Sequence, residues 1–467
     1  MMPASSLTLT AEVHAKLRDH LFPGDGLEAA AILICARVPG ARQRLLARDA
    51  FLVPHADCVR HVDQLRWPGA AIEQAIDLAE LDDLSLFLVH SHPGGYFAFS
   101  DLDDQSDRLT MPGLFQALGR LHGSAIMVPD GAMLARTYGP DMRAQGLDFV
   151  SVAGHDFERW WFDGSFNPRP MAFTSPTRDE LKRLTACVVG ASGTGSVVVE
   201  QLARLGFGRI IVIDFDRVEL RNLNRILNST RRDAEQGELK VEVLSRAIHN
   251  FRGPGVAIPV PSTILDRRAV VQASQADFLF CCVDSQEGRQ IADLIASSFL
   301  LPLFDVGVTI PTRQAKGRLA IGDVVARIDY VRPGGPTLSD RNVYTQGGLR
   351  AEYLRRVDPA GHAQEVAAGY IPGAREEAPS VITLNMRAAS DLVSDFLARL
   401  YLFRHDANKR FARRTVSLAA GEEEVFSEDE FPRGPNSWLG RGASEPLLGL
   451  AALAPGAAEK EGWAPCC

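Results

Sequence analysis

Between residues 181 and 310 short apolar runs alternate with helical stretches, and no other feature constrains the fold as strongly. The runs ACVVG (186–190), RIIVIDFD (209–216), AIPVP (257–261), DFLFCCVD (277–284) and LPLFDVG (301–307) have strand length. The segments SVVVEQLARLGF (196–207), KVEVLSRAIHNF (240–251) and GRQIADLIASSFL (288–300) have helical spacing. Strands separated by helices of this length must run parallel, because the chain has to cross back before the next strand begins. The expected fold class is therefore α/β, with a doubly wound parallel sheet in this region.

Residues 1–150 also mix strands and helices. Apolar runs at 29–36, 85–89 and 124–128 read as strands, and 69–81 reads as a helix with Ile72, Ile76 and Ala79 on one face. Residues 151–180, with three prolines and the Trp160–Trp161–Phe162 cluster, read as a connection. Residues 380–402 read as a long helix. Charge without periodicity marks 339–378, and the polar stretch 403–467 reads as a partly disordered C-terminal extension.

Composition narrows the function. Of 467 residues, 46% are apolar and 23% charged, which excludes a mostly disordered chain, a collagen-like repeat and a coiled coil. The net charge of −8 advertises no nucleic-acid partner. No apolar run reaches the roughly 18 residues that cross a bilayer, and the first 21 residues lack the pattern of a secretory signal. Seven cysteines stand at 35, 58, 187, 281, 282, 466 and 467, with no C-x-x-C pair. An odd number placed in apolar runs points to a reducing cytoplasm without a disulfide framework.

The first chemical constellation is His90-Ser-His92-Pro93, followed by Ser100 and Asp103. Two histidines one residue apart on a strand end point the same way and can grip one metal ion. Asp103 can add a third ligand, leaving a fourth position for water. An H-x-H pair alone is unremarkable among 11 histidines. Ser and Asp at two fixed offsets make chance a poor account. Ser100 can cap the following helix, donate a hydrogen bond to a developing oxyanion, or do both.

This H-x-H-P-x6-S-x-x-D spacing resembles the JAMM (MPN-plus, JAB) metalloprotease family. The resemblance covers about 130 residues and implies a JAMM-type α/β domain over 1–150. It implies that His90, His92 and Asp103 bind one catalytic Zn2+. Glu28, just before the first core strand, matches the family's distant glutamate and would act as general base. Ser100 would support the oxyanion. The family hydrolyses isopeptide or peptide bonds that follow ubiquitin-like C-termini.

The second constellation begins with Gly190-Ala-Ser-Gly193-Thr-Gly195, which follows a strand and opens a helix. Such a turn lets backbone amides meet phosphate, and Asp214 at the next strand end can hold ribose hydroxyls. These features serve NAD and ATP equally. Asp216, Asn222, Arg225, Lys240, Asp284 and Arg289 break the tie, because a charged cluster around the loop suits phosphoryl or nucleotidyl transfer and not hydride transfer.

This set resembles the ThiF/MoeB/HesA superfamily, which includes the ubiquitin-activating enzymes. The resemblance runs from about 165 to 402 and implies a Rossmann-like ATP-dependent adenylation domain over 181–402, with 165–180 contributing. By resemblance Gly190, Gly193, Gly195, Asp214 and Asp216 bind nucleotide, and Asn222, Arg225 and Lys240 contact phosphates. Asp284 would hold Mg2+. Arg169 matches an arginine that reaches into the partner's site of a homodimer. The implied partners are a ubiquitin-like protein, through its C-terminal glycine, and a ubiquitin-conjugating-type protein.

Two departures qualify the resemblance. Thr337 and Asp340 occupy the positions of a structural zinc knuckle's first cysteine pair, and no cysteine lies near 431–438, so that zinc is expected to be lost. A thioester-forming cysteine is also missing between Val283 and Pro465. Cys281 and Cys282 read as core, and Cys466 and Cys467 as tail. The expected chemistry therefore stops at the acyl-adenylate, serves a sulfur carrier, or passes to a hydroxyl such as Ser339 or Thr337. A non-catalytic scaffold is the contrasting expectation, and the completeness of both residue sets argues against it.

Overall fold

The computed structural model describes residues 4–119, 121–166, 173–315, 318–368 and 380–456. Among them, nine strands form one mixed sheet and eight form a second. In space the first sheet runs Phe157–Trp161, Phe149–Ala153, Ser5–Thr10, Gln43–Leu52, Ala30–Arg37, Ser85–Ser91, His122–Met127, Met133–Tyr138 and Ala144–Gly146. The strand Ala30–Arg37 alternates between two cores. Leu33 and Cys35 pack under the helix Ala11–Leu21, while Ile32, Ile34 and Ala36 pack under the helices Gly69–Glu80 and Asp101–Leu118. Burial on both faces explains why this strand reads as an unbroken apolar run.

The second sheet runs Ala257–Val260, Arg209–Ile213, Thr185–Val189, Phe278–Cys281, Leu303–Thr309, Val325–Val331, Arg413–Ser417 and Glu422–Phe426. Its first five strands are parallel and the rest antiparallel. Strand order reverses between Thr185–Val189 and Phe278–Cys281, which opens a crevice at their C-terminal ends. The helices Gly193–Leu205, Lys240–Arg252 and Ile382–Tyr401 cover one face, while Arg267–Ala273 and Gln286–Ser298 cover the other. The doubly wound α/β class holds.

Three segments differ from the sequence expectations. Within the expected connection 151–180, Phe149–Ala153 and Phe157–Trp161 form an antiparallel pair at the edge of the first sheet. Phe157 and Trp161 point into a core shared with Phe278, Phe304, Tyr330 and Phe396, so aromatic residues that looked like a linker fill the junction between the two sheets. Residues 346–367, expected to be irregular, form the helices Gln346–Val357 and Pro359–Ala367. Neither helix buries a residue fully, which explains the missing apolar period. The extension after 403 adds two strands to the second sheet and places Leu447, Leu448 and Leu453 in its core.

Thr337 and Asp340, where the resemblance places a cysteine pair, are bonded to each other. Asp340 accepts hydrogen bonds from Thr337 N (2.8 Å), Thr337 Oγ1 (2.9 Å) and Gly434 N (3.2 Å). One carboxylate thus ties the turn at 337–340 to the segment at Gly434.

The two sheets share cores and buried ion pairs. Arg42 Nη2 lies 2.8 Å from Asp277 Oδ1, and Arg44 donates to the carbonyl of Ser274 (2.6 Å). Asp277, Ser274 and Pro302 flank the starts of the parallel strands. The first unit therefore sits against the N-terminal edge of the second sheet, away from the crevice.

Candidate functional site

His90 is the last residue but one of the strand Ser85–Ser91, and His92 follows its end. Helix Asp101–Leu118 starts beside them. Ser100 is its N-cap: Ser100 Oγ accepts from Asp103 N (3.2 Å), and Asp103 Oδ2 accepts from Ser100 N (2.6 Å). This reciprocal cap aims Asp103 back at the histidines. Asp103 Oδ1 lies 2.9 Å from His90 Nε2, Asp103 Oδ2 lies 3.5 Å from His92 Nε2, and the two imidazole nitrogens are 3.0 Å apart. All three donor atoms fall within 4.8 Å of one another. His92 Nδ1 is bonded to the carbonyl of Tyr96 (2.7 Å), which fixes its ring and leaves Nε2 facing the cluster. Two imidazoles and one carboxylate suit zinc and leave a fourth position open. Among the described residues no other group of three or more such side chains meets this geometry.

Glu28 stands two residues before the strand Ala30–Arg37. Ala30 pairs with His90 in the sheet, and continuing that antiparallel register sets Glu28 across from His92. Burial pushes the Glu28 carboxyl up, against the attraction of His90 and His92. Burial would also raise Asp103, but hydrogen bonds from His90 and His92 hold it far below the usual carboxylate range. One carboxylate is thus fixed as an anion while the other is moved toward proton exchange.

The crevice of the second sheet holds the other set. Gly190 ends the strand Thr185–Val189 with φ +92°, and a β-carbon there would lie 2.8 Å from the carbonyl oxygen of Cys282. Gly195 packs on Gly190, and Gly193 lies beneath Asn385 and Arg225. Ser192, between Ala191 and Gly193 in the loop, has φ −90° and is unstrained.

Asp214 accepts from Ala191 N (2.6 Å) and Asp216 N (2.8 Å), so it braces the glycine loop from the neighbouring strand. Burial pushes its carboxyl up, partly offset by Lys240. Lys240, 5% exposed, is paired to Asp216 at 2.6 Å. Asn222 is buried, and its Oδ1 accepts from Glu219 N (3.0 Å). Arg225 donates to Asn224 Oδ1 and to the carbonyl of Arg221. Asp284 is exposed, and Arg289 donates to its carbonyl while facing the buried Asp305. Arg169, Cys466 and Cys467 lie outside the described residues.

Among the described cysteines, Cys35, Cys187 and Cys281 are buried. Burial also pushes up the thiol of Cys282, the one beside the crevice. Ser339 is exposed, 3.4 Å from the buried Asp293 through its backbone nitrogen, and Thr337 donates its hydroxyl to Asp340.

Two residues were missed in the sequence. Asn385 packs over Gly193, and its amide donates to Ser380 Oγ (2.9 Å); its place inside a regular helix gave no signal. Arg60 donates to the carbonyl of Glu28 (2.7 Å) from a two-residue strand too short to read.

The two sites face away from each other. His90 and Glu28 lie at the start of Ala30–Arg37, whereas Val38, past its end, joins the core of the second unit. At about 3.3 Å per residue that strand alone spans roughly 25 Å. The crevice lies beyond the far ends of the parallel strands. No described helix is long and apolar enough to cross a membrane.

Residues 10–144 match the family described as prokaryotic homologs of the JAB domain, and residues 168–329 match the ThiF family. A stretch of 169 residues is 27% identical to ubiquitin-like modifier-activating enzyme 5 of Drosophila willistoni, covering 33% of this chain and 38% of that protein. The enzyme of the same name from Xenopus laevis is 32% identical over 124 residues, 24% of this chain and 30% of that protein. The chain thus spans less than two fifths of these relatives' length. A solved structure of E. coli MccB with succinimide aligns with TM-score 0.42 and 17% identity, over 56% of this chain and 68% of that one. The chain is a fusion of a JAB-type domain and a ThiF-family domain.

Proposed function

We propose that this chain is a bifunctional enzyme acting on a ubiquitin-like protein. Its JAB-type domain hydrolyses the amide bond after the C-terminal glycine, to mature a precursor or release a conjugate. Its ThiF-type domain adenylates the freed carboxylate with ATP. The observation that carries this reading is the convergence of His90, His92 and Asp103 within 4.8 Å, beside the buried Glu28.

His90, His92 and Asp103 would hold Zn2+, which when bound supplies Lewis-acid activation of water and of the scissile carbonyl. Glu28 takes a proton from the attacking water at its carboxylate and returns it to the leaving amine. Its raised affinity for protons serves both transfers. Ser100, whose oxygen already accepts from Asp103 N, keeps its own hydroxyl proton to donate to the oxyanion.

In the crevice, the loop amides after Gly190 and the start of the helix Gly193–Leu205 receive the phosphates of ATP. Arg225 and Lys240 neutralise them, and Lys240 exchanges Asp216 for phosphate oxygen. Asp284 is the carboxylate assigned to Mg2+, a metal that keeps much of its shell from phosphates and water. The substrate carboxylate attacks the α-phosphorus, pyrophosphate leaves, and an acyl-adenylate forms. Arg169 would complete the site of a partner protomer in a homodimer.

Three of the described cysteines are buried and desolvation pushes up the thiol of the half-buried Cys282, which favours a final acceptor outside this chain. A separate sulfur donor making a thiocarboxylate is the second reading that this observation supports. A conjugating-type protein carrying its own nucleophile is the other acceptor consistent with it.

Zinc content, cleavage of a ubiquitin-like fusion and ATP–pyrophosphate exchange test the proposal together. His92→Ala should abolish cleavage and keep exchange, and Asp284→Ala should do the reverse. Substoichiometric zinc in a folded protein, or exchange persisting in Asp284→Ala, would remove the corresponding half.

A further inference from the structure

We propose that Arg60 is a positioning residue for the general base Glu28, an inference that rests on the peptidase reading above. Glu28 lies just beyond the last ladder bond, in which Ser91 N donates to the carbonyl of Ala29 (3.1 Å), so its own peptide has no partner in the large sheet. Its peptide is held instead by the hairpin formed by Val59–Arg60 and Leu65–Arg66. Glu28 N donates to the carbonyl of His61 (2.8 Å), and Arg60 Nε donates to the carbonyl of Glu28 (2.7 Å). Arg60 Nη2 reaches the carbonyl of Leu27 (3.2 Å). Arg60 Nη1 and Nη2 donate to Asp25 Oδ2 and Oδ1, at 2.8 and 3.2 Å.

One planar group thus binds three of the four residues from Asp25 to Glu28. Only a guanidinium presents enough fixed donors for this; an ammonium is a point charge that can hold Asp25 but cannot fork across two carbonyls. The Arg60 side chain is 9% exposed, so it is spent on this loop and is not offered to a substrate. Its hydrogen-bond partners are Asp25, Leu27 and Glu28, not the residues of the metal cluster. His90, His92 and Asp103 stand on the strand Ser85–Ser91, the turn after it and the helix Asp101–Leu118. The metal cluster and the loop of the base meet at Ser91 and Ala29, while the peptide of Glu28 itself is held by the hairpin and Arg60. A general base must sit within hydrogen-bond reach of the proton it takes, and a displacement near 1 Å costs about a hundredfold in rate.

The test uses the full chain loaded with zinc and a ubiquitin-like protein carrying a C-terminal aminocoumarin amide. Arg60→Gln and Arg60→Lys are compared with wild type. The expected result is a kcat lower by roughly ten- to a hundredfold in Arg60→Gln, with KM, zinc content and pyrophosphate exchange unchanged. Arg60→Lys should fall between. Amide hydrogen exchange over residues 25–29 should quicken in Arg60→Gln while the strand Ala30–Arg37 stays protected. A folded, zinc-replete Arg60→Gln with wild-type kcat overturns the proposal, as does a rise in KM at constant kcat, which would make Arg60 a substrate contact. If wild type cleaves nothing, the peptidase reading fails, and the exchange of residues 25–29 decides the clamp alone: unchanged protection in Arg60→Gln overturns it.

Discussion

Gly195 stands on the carbonyl of Gly190, so close that a β-carbon at 195 would overlap that oxygen. The first turn of the helix Gly193–Leu205 can approach the loop only without a side chain there. Gly195→Ala must push the helix off the loop, at a cost of about 1–3 kcal/mol for overpacking. Pyrophosphate exchange should drop roughly a hundredfold, since the amides that meet phosphate move with the helix. Cleavage should stay at the wild-type level, because the first sheet is built elsewhere. Exchange at the wild-type rate in Gly195→Ala would show that the loop does not cradle phosphate.

Much of both sites was legible because each is anchored to a strand end. His90 and His92 follow a strand of clear apolar pattern, and Gly190 and Asp214 end two others. What stayed hidden was held by tertiary contacts. The aromatic residues Phe157 and Trp161 sit in an edge strand whose inward face meets a second sheet 100 residues and more downstream, a relation that local periodicity does not encode. The helices Gln346–Val357 and Pro359–Ala367 bury no residue fully and so carry no stripe to detect. Asp340 gave only the negative sign of a missing cysteine; its hydrogen bond to Gly434 needs the fold.

The opposed directions of the two sites bear on how they share a substrate. On the proposed function, a ubiquitin-like protein released at Glu28 would have to dissociate before reaching the crevice of the same molecule. Tethering two sites helps only when both can be engaged at once. An equimolar mixture of His92→Ala and Asp284→Ala should therefore turn precursor into adenylate within about twofold of the wild-type rate per intact site. A wild-type rate far above the mixture would reveal direct handover, within a protomer or across a dimer.

Asp293 introduces a pH dependence of stability. It is buried on the helix Gln286–Ser298, and burial pushes its carboxyl up to about 6, against hydrogen bonds from Leu338 N, Ser339 N and Tyr344 Oη. The folded protein thus binds this proton more tightly than the unfolded chain, whose carboxyl has the ordinary value of 3.8. Its contribution is fully present below pH 3.8 and is lost as pH rises through about 6. Asp293→Asn removes the titration and sets a constant offset from the lost acceptor. Relative to that variant, wild type should lose roughly 2–3 kcal/mol between pH 4 and 8, read from urea midpoints. A difference that does not move with pH would mean that Asp293 keeps an ordinary pKa.

The junction between the units predicts how the molecule unfolds. Arg42 and Asp277 are paired at 2.8 Å with side chains 9% and 6% exposed, and Asp277 Oδ2 also accepts from Thr185 N (2.8 Å). Arg42→Ala would take from the buried Asp277 its hydrogen-bonded cation and leave it the attraction of Arg159 and Arg44, so the cost should fall at or below the low end of the roughly 3–5 kcal/mol typical of a broken buried pair. Phe149, Phe157 and Trp161 share one core with Phe278 and Phe396, so neither unit keeps its packing when the other melts. Calorimetry of the full chain should show one transition, and Arg42→Ala should lower it as a whole without splitting it. Two separated transitions in wild type would mean that the shared aromatic core does not couple the units. A transition in Arg42→Ala that splits, with the JAB-type unit melting first, would place the coupling in this ion pair instead of the aromatic core.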